Sequence, residues 1–187
     1  MRSPETNKVL EYYDQVWLER FKRGLNPISL AMHYGFYAEG APRCSLEEHK
    51  LRMNDEVINR LGLGNWEDTK SVLDAGCGIG GTAIYFAQHY PDTNVCGITL
   101  SHEQALLGHQ LVAARSLEKQ VSIITGDYHH IPVGTSMFHA SYAIESSCHA
   151  DKEIFLKEIE RILVPGGRLV IADIWLTDKP MDTEQEK

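Results

Sequence analysis

Residues 72–81 read VLDAGCGIGG, an apolar stretch that runs straight into a cluster of glycines. Gly76, Gly78 and Gly81 fall at the spacing G-x-G-x-x-G. Glycines so spaced allow a tight strand-to-helix turn whose backbone comes close enough to touch a ligand. The segment predicts a strand SVLDA (71–75) followed by a helix from about Gly81 to Gln88. Further strands are expected at NVCGI (94–98), VSIIT (121–125), FHASYAI (138–144) and GRLVIADIW (167–175), with helices from Ser101 to Leu117 and from Asp151 to Leu163. Short apolar runs alternating with amphipathic helices are the mark of βαβ units. The expected fold is α/β: a Rossmann-like open, mostly parallel sheet with helices on both faces. Pro165-Gly166-Gly167 reads as a turn that stops the last helix.

Upstream of the sheet, residues 5–23 have a helical periodicity that gathers Tyr12, Tyr13, Trp17 and Phe21 largely on one side. NPISLAMHYGFYAEGAPRC (26–44) is punctuated by Gly and Pro and reads as a loop carrying several aromatics. Ser45 with Glu48 is a capping-box signature for a helix whose apolar stripe is Leu46, Met53, Val57, Ile58 and Leu61, ended by Gly62 and Gly64. Residues 1–69 thus form N-terminal helices and a covering loop, and 70–187 the Rossmann-like core, within one structural domain. The terminal MDTEQEK is expected to fray.

Composition narrows the function. With 43% hydrophobic and 24% charged residues, the chain reads as a globular protein without an apolar run long enough to span a bilayer. The N-terminus lacks the apolar core of a signal peptide, so the expected compartment is the cytoplasm. A net charge of −8 argues against a nucleic-acid partner and for a small-molecule substrate. Cys44, Cys77, Cys96 and Cys148 contain no C-x-x-C pair and read as reduced thiols. The adjacent His129 and His130 lack helical ligand spacing, so no metal site is expected.

A G-x-G-x-x-G turn suits a dinucleotide, but two features point elsewhere. Asp74 lies at the mouth of the strand, where a carboxylate repels a pyrophosphate and attracts an ammonium. The second strand ends Gly97-Ile98-Thr99-Leu100-Ser101, without the acidic residue that grips an NAD ribose. S-adenosylmethionine has no phosphate, carries a sulfonium and an ammonium, and needs close backbone at its amino-acid end. An NAD-dependent oxidoreductase is disfavoured by Asp74 and Thr99, and the plain alternative is that the glycines only make a tight turn.

The chain resembles the class I S-adenosylmethionine-dependent methyltransferases over nearly its whole length. It is most similar to the branch containing sterol C-methyltransferases, tocopherol methyltransferases and cyclopropane fatty acid synthases. Four stretches carry the likeness: MHYGFYAEG with SLEEHK, GITLSHEQ, YAIESSCHADK and LVPGGRLVIAD. The resemblance implies that Asp74, Gly76 and Gly78 line the methionine end of the cofactor. It places Thr99, Leu100, Ser101 and Gln104 around ribose and adenine, with Gly126, Asp127 and Tyr128 at the adenine amino group. Tyr34 and Gly35 would close over the cofactor. Leu100 as ordinary core and Ser101 as a helix cap remain open alternatives.

The implied activity is methyl transfer to a small molecule, lipid or prenyl-derived, at carbon; N- or O-methylation and a truncated cofactor-binding module without activity are the alternatives. In-line displacement at a sulfonium mainly needs alignment and exclusion of water. A carbon acceptor adds a proton to remove and a cation to shield. Glu145, at the C-terminal edge of the fourth strand, and His149 are the candidate bases. Glu145 could equally bond the cofactor ammonium or nearby backbone, and His149 could cap the following helix. Tyr12, Tyr13, Tyr34, Phe36 and Tyr37 could supply aromatic faces. Family members continue past the fifth strand, so that strand is expected as an open apolar edge. A fragment, a homodimer through that edge, or a degenerate cofactor-binding protein would each account for it.

Overall fold

Five apolar runs pair into one sheet: β1 (Lys70–Ala75), β2 (Thr93–Thr99), β3 (Val121–Thr125), β4 (Phe138–Ile144) and β5 (Leu163–Ala172). The computed structural model describes residues 4–22, 29–40, 42, 44–62 and 70–175. The strand order is β3-β2-β1-β4-β5 and every pairing is parallel. The order reverses between β1 and β4. In open α/β sheets, ligands gather at such a switch point, beyond the carboxyl ends of the strands.

The helices are α1 (Pro4–Tyr12), α2 (Glu19–Lys22), α3 (Leu46–Leu61), α4 (Gly81–His89), α5 (His102–Ala113) and α6 (Lys152–Ile162). Successive strand residues point to opposite faces. Val72 accordingly joins Val57, Ile58 and Leu61 of α3 and Ile84 and Phe86 of α4, whereas Leu73 joins Phe155, Ile159 and Ile162 of α6. Those three α6 residues lie on one stripe at spacings of four and three and are fully buried. Truncating Phe155 to Ala would cost about 3–5 kcal/mol. Helices thus cover both faces, as expected. Among the described residues no helix is long and apolar enough to cross a membrane.

Local capping explains the boundaries. Ser45 and Glu48 form the reciprocal box, with Ser45 Oγ accepting from the Glu48 amide and the Glu48 carboxylate accepting from the Ser45 amide at 2.7 Å. Gly62 ends α3 at φ 71°, where glycine is unstrained; Gly64 and the terminal MDTEQEK lie outside the described residues.

Several boundaries depart from expectation. The N-terminal helix is broken by a π-helical turn, Tyr13–Leu18, between α1 and α2. The helix expected to reach Leu117 stops at Ala113, because the Leu117 amide turns back to the Val112 carbonyl and Ser116 takes φ 57°. Pro165-Gly166-Gly167 lies inside the span of β5, which starts at Leu163 directly after α6. The pairing jumps from Phe138–Leu163 to Ala140–Arg168, so the turn becomes a bulge with Gly166 at φ 80°. β5 ends at Ala172, short of Trp175, because the Asp173 carboxylate accepts from Ser147 Oγ and the Cys148 amide. Leu46, expected in the apolar stripe of α3, is exposed. As anticipated, β5 is the sheet edge among the described residues, and most of its residues are only half-buried while β4 is largely buried.

Candidate active site

A cavity of about 450 Å³ opens where β1 and β4 diverge. Its floor is the glycine turn after β1, one wall is the end of β2 from Ile98 to Ser101, and another is Ile144, Glu145 and Ser146 after β4. Residues 30–34 and Val9, Leu10, Tyr12 and Tyr13 complete it. Gly76 and Gly78 have φ 92° and 56°. A Cβ on Gly76 would sit 2.4 Å from Ser146 Cβ, and one on Gly78 would sit 2.4 Å from the Met32 methyl. Both positions therefore favour glycine for conformation, and Gly76 also for space, since the Met32 methyl at Gly78 ends a flexible side chain.

Asp74 is 4% exposed, and its Oδ2 has no hydrogen-bond partner. Burial pushes its carboxyl up to about 7, with only a weak opposing pull from the Tyr142 hydroxyl, itself outside hydrogen-bonding geometry. At the end of β2, the Thr99 hydroxyl donates to Gln104 Oε1 at 2.9 Å, and the Ser101 hydroxyl accepts from the Gln104 amide at 3.0 Å. Gln104 Nε2 is left buried without a partner. Ser101 therefore caps α5, and because the Gln104 side chain turns to Thr99 there is no reciprocal box. The Ser101 hydroxyl also donates to Asp14 of the π-helical turn, which ties the N-terminal segment to this wall.

Glu145 takes φ 48°, a left-handed conformation that costs a non-glycine residue of order 1 kcal/mol. Its Oε1 accepts from the Tyr34 amide at 2.7 Å. Burial raises its pKa, opposed chiefly by the Tyr34 hydrogen bond. Burial lowers that of His149, and its Nε2 is hydrogen-bonded to the Tyr13 hydroxyl at 3.1 Å. Tyr13, raised to about 12 by burial, keeps its proton.

The expected residues converge unevenly. Tyr34, Asp74, Gly76, Gly78, Thr99, Leu100, Ser101, Gln104, Tyr128, Glu145 and His149 all line the cavity. Gly35, Gly126 and Asp127 do not. Gly35 packs on α3, where a Cβ would lie 2.3 Å from His49 Cβ. Asp127 Oδ1 instead accepts from the His129 amide at 2.9 Å and His129 Nδ1 at 2.6 Å. Of the aromatic set, Tyr12, Tyr13 and Tyr34 line the cavity; Phe36 does not, and Tyr37 stacks on His49 with ring centres 3.9 Å apart. The Trp17 side chain lies outside the described features. Sequence reasoning missed Met32, His33, Lys50, Thr82 and Ser146, all of which line the cavity. Thr82 follows the glycine motif directly and could have been found there. Met32 meets Gly78 only through the fold, which no local pattern reveals.

Known proteins share this arrangement. The chain is 33% identical over 175 residues to the methyltransferase GfsG of Streptomyces halstedii, covering 90% of this chain and 58% of that one. It is 36% identical over 148 residues to the chloroplastic tocopherol O-methyltransferase of Arabidopsis thaliana, covering 75% and 42%. Among solved structures, the [4+2]-cyclase SpnF superposes with TM-score 0.79 at 28% identity, covering 91% of this chain and 61% of that one. The chain thus spans about half the length of the curated relatives it matches. Sheet order, glycine turn and relatives together place the chain among the class I S-adenosylmethionine-dependent methyltransferases. Within that class the chain belongs to the mycolic acid cyclopropane synthetase family, whose profile matches residues 8–187.

Proposed function

We propose that this chain binds S-adenosylmethionine in the cavity and supports transfer of its methyl group to a small, largely apolar acceptor, at a carbon of a lipid or prenyl-derived skeleton. The carrying observation is the pair of orphaned groups: Asp74 Oδ2 and Gln104 Nε2 are buried against one cavity without partners. A buried polar atom left unpaired costs about 1–3 kcal/mol. A ligand with an ammonium for Asp74 and an acceptor for Gln104 would relieve both. Bound there, S-adenosylmethionine supplies an electrophilic methyl group on a sulfonium.

The residues have distinct tasks. Gly76 and Gly78 bring backbone to the amino-acid end, and Asp74 holds the ammonium. Thr99, Ser101 and Gln104 hold the ribose and adenine, Leu100 and Tyr128 pack beside them, and Tyr34 closes the cavity. The rings of Tyr12, Tyr13 and Tyr34 with Val9, Leu10 and Leu46 give an acceptor an apolar wall and keep water away from the displacement. Glu145 takes the proton that a carbon acceptor releases; burial makes its carboxylate a stronger base than an exposed one. His149 serves as the fixed partner of Tyr13, since its Nε2 is already engaged. The name of the tocopherol O-methyltransferase relative supports an apolar acceptor.

Calorimetry with S-adenosylmethionine, S-adenosylhomocysteine and NAD tests the cofactor: heat is expected from the first two, and heat from NAD alone would overturn the reading. Turnover on sterol-like, prenyl-phenol and amine panels tests the acceptor. Glu145→Gln should keep cofactor affinity and lower kcat by about 100-fold, within the range of general-base effects. An unchanged kcat on a carbon acceptor would remove Glu145 as the base.

A further inference from the structure

Asn54 is a polar residue that is 0% exposed, on a helix whose neighbouring inward positions, Val57, Ile58 and Leu61, are apolar. A side-chain amide in that setting is costly unless its bonds are made. Two of its contacts reach residues of the cavity. Thr82 Oγ1, in the first turn of α4, lies 3.1 Å from Asn54 Oδ1, and His33 Nε2 lies 3.1 Å from the same atom. The other ring nitrogen of His33 is 2.7 Å from the Tyr34 carbonyl oxygen.

Proton counting fixes how these bonds run. With the amide oxygen towards both partners, Asn54 Nδ2 is buried and unpaired, and His33 faces an oxygen from each nitrogen. Burial lowers the His33 pKa, and a neutral imidazole has only one N–H. Amide oxygen and nitrogen are exchangeable assignments decided by the network. With the amide turned over, both Nδ2 hydrogens are used, one towards Thr82 Oγ1 and one towards His33 Nε2, the unpartnered place passes to the amide oxygen, and His33 no longer faces an oxygen from each nitrogen. His33 Nδ1–H then donates to the Tyr34 carbonyl. The network runs Thr82–Asn54–His33–Tyr34, and the Tyr34 amide donates to Glu145 at 2.7 Å.

The same helix holds the loop at three more points. Lys50 donates to the Ala31 carbonyl at 3.2 Å, Glu47 Oε2 accepts from the Ser29 amide and hydroxyl, and the Phe36 amide donates to the His49 carbonyl at 2.8 Å. We infer that Asn54, His33 and Thr82 are positioning residues: a buried amide–imidazole–hydroxyl network that anchors the Tyr34 carbonyl and so holds the Tyr34 backbone in the setting from which its N–H, on the preceding peptide, bonds the Glu145 carboxylate over the cavity. The inference rests on the proposed role of Glu145. Glu145 is also faced by Asp173 beyond β5, which raises its pKa, and by Lys50 of α3, which lowers it. Tyr13 of the π-helical turn faces it as well. None of these groups is altered in the test.

The test is Asn54→Leu, which keeps shape but not hydrogen bonding, with Thr82→Val as an isosteric variant that removes one bond and should fold if the first does not. The Glu145 carboxyl is followed by NMR in carboxyl-labelled protein, with Glu145→Gln assigning the signal. Loss of the Tyr34 N–H bond should move the Glu145 titration to higher pH, with a smaller movement in the same direction for Thr82→Val. On a turned-over acceptor, Asn54→Leu should lower kcat about tenfold, move its acid limb upward, and leave S-adenosylmethionine affinity within about threefold. A Glu145 titration unchanged in the variant that folds overturns the inference, even if Glu145→Gln lowers turnover. A titration that moves while Glu145→Gln retains full turnover upholds the network and defeats only the assignment of Glu145 as base.

Discussion

The two ends of the cavity are built on opposite principles. Beside the glycine turn, Asp74 Oδ2 and Gln104 Nε2 are buried without partners. Across the cavity, Glu145 is held by the Tyr34 amide, and His149 by the Tyr13 hydroxyl. The first end stores unmet polar demand that a ligand can satisfy; the second has met its demand internally. An orphaned group is a site for binding, because a ligand recovers what folding left unpaired. A satisfied group is a site for chemistry, because its position is set before the acceptor arrives. The contrast predicts that mutations at the first end act on cofactor affinity and mutations at the second on turnover.

The largest break in that comparison should come from Asp74→Ala. Removing the carboxylate deletes the only acidic group among the residues lining the glycine-turn end of the cavity, and S-adenosylmethionine affinity should fall by at least about 100-fold, on the order of 3 kcal/mol. Folding should not suffer, since a buried carboxyl with an unpaired oxygen contributes little to the empty protein. Calorimetry together with a thermal melt checks both. An affinity within threefold of the parent would show that the orphaned carboxylate does not meet the ammonium.

A smaller effect of the same origin is readable without mutation. The Asp74 carboxyl is raised to about 7 by burial, whereas the ammonium complex needs it ionised. The sign is therefore fixed: affinity rises with pH up to about 7 and falls about tenfold per pH unit below it, and binding at pH 6 releases a proton. For the empty protein the same shift works the other way. The stabilisation from keeping Asp74 protonated is present below the ordinary carboxylate range near 4 and is lost as pH rises towards 7. Titrations in two buffers of different ionisation enthalpy count the proton. A flat affinity between pH 5.5 and 8 would contradict a buried, partnerless carboxyl.

The contrast between the ends also explains what the sequence could reveal. The glycine-turn end is encoded locally: Asp74, Gly76 and Gly78 lie within five residues, and Thr99, Ser101 and Gln104 within six. Strand alternation and capping rules act over the same short range, so sheet class and the limits of α3 were legible. Where a side chain's choice among possible partners decided the outcome, the local pattern did not reveal it. Asp173 ended β5 early by reaching Ser147 and Cys148. Gln104 turns its side chain to Thr99. Asp127, read onto the adenine by resemblance, makes its bonds to His129. At the other end, Glu145 and His149 line the cavity just after β4. Their partners were not legible, because Tyr34 and Tyr13 are 111 and 136 residues away in the chain. A residue type signals chemistry, but only the fold shows which of its bonds are already made.

The smallest expected effect sharpens the comparison at its satisfied end. Tyr13→Phe removes the hydroxyl hydrogen-bonded to His149 Nε2 but leaves the ring, whose edge-to-face contact with His149 has centres 5.6 Å apart. A half-buried neutral hydrogen bond contributes about 0.5–1.5 kcal/mol, and cavity water can replace part of it. Turnover should fall only about two- to fivefold, and cofactor affinity should not change. Burial lowers the His149 pKa, which favours the neutral imidazole, and the substitution leaves its Nε2 free to face the cavity. If His149 were the base, freeing that nitrogen would raise kcat; if it is a fixed support for the aromatic wall, kcat falls. The sign of one small change in turnover therefore distinguishes a base from a buttress, and leaves Glu145 either sharing proton removal or carrying it alone.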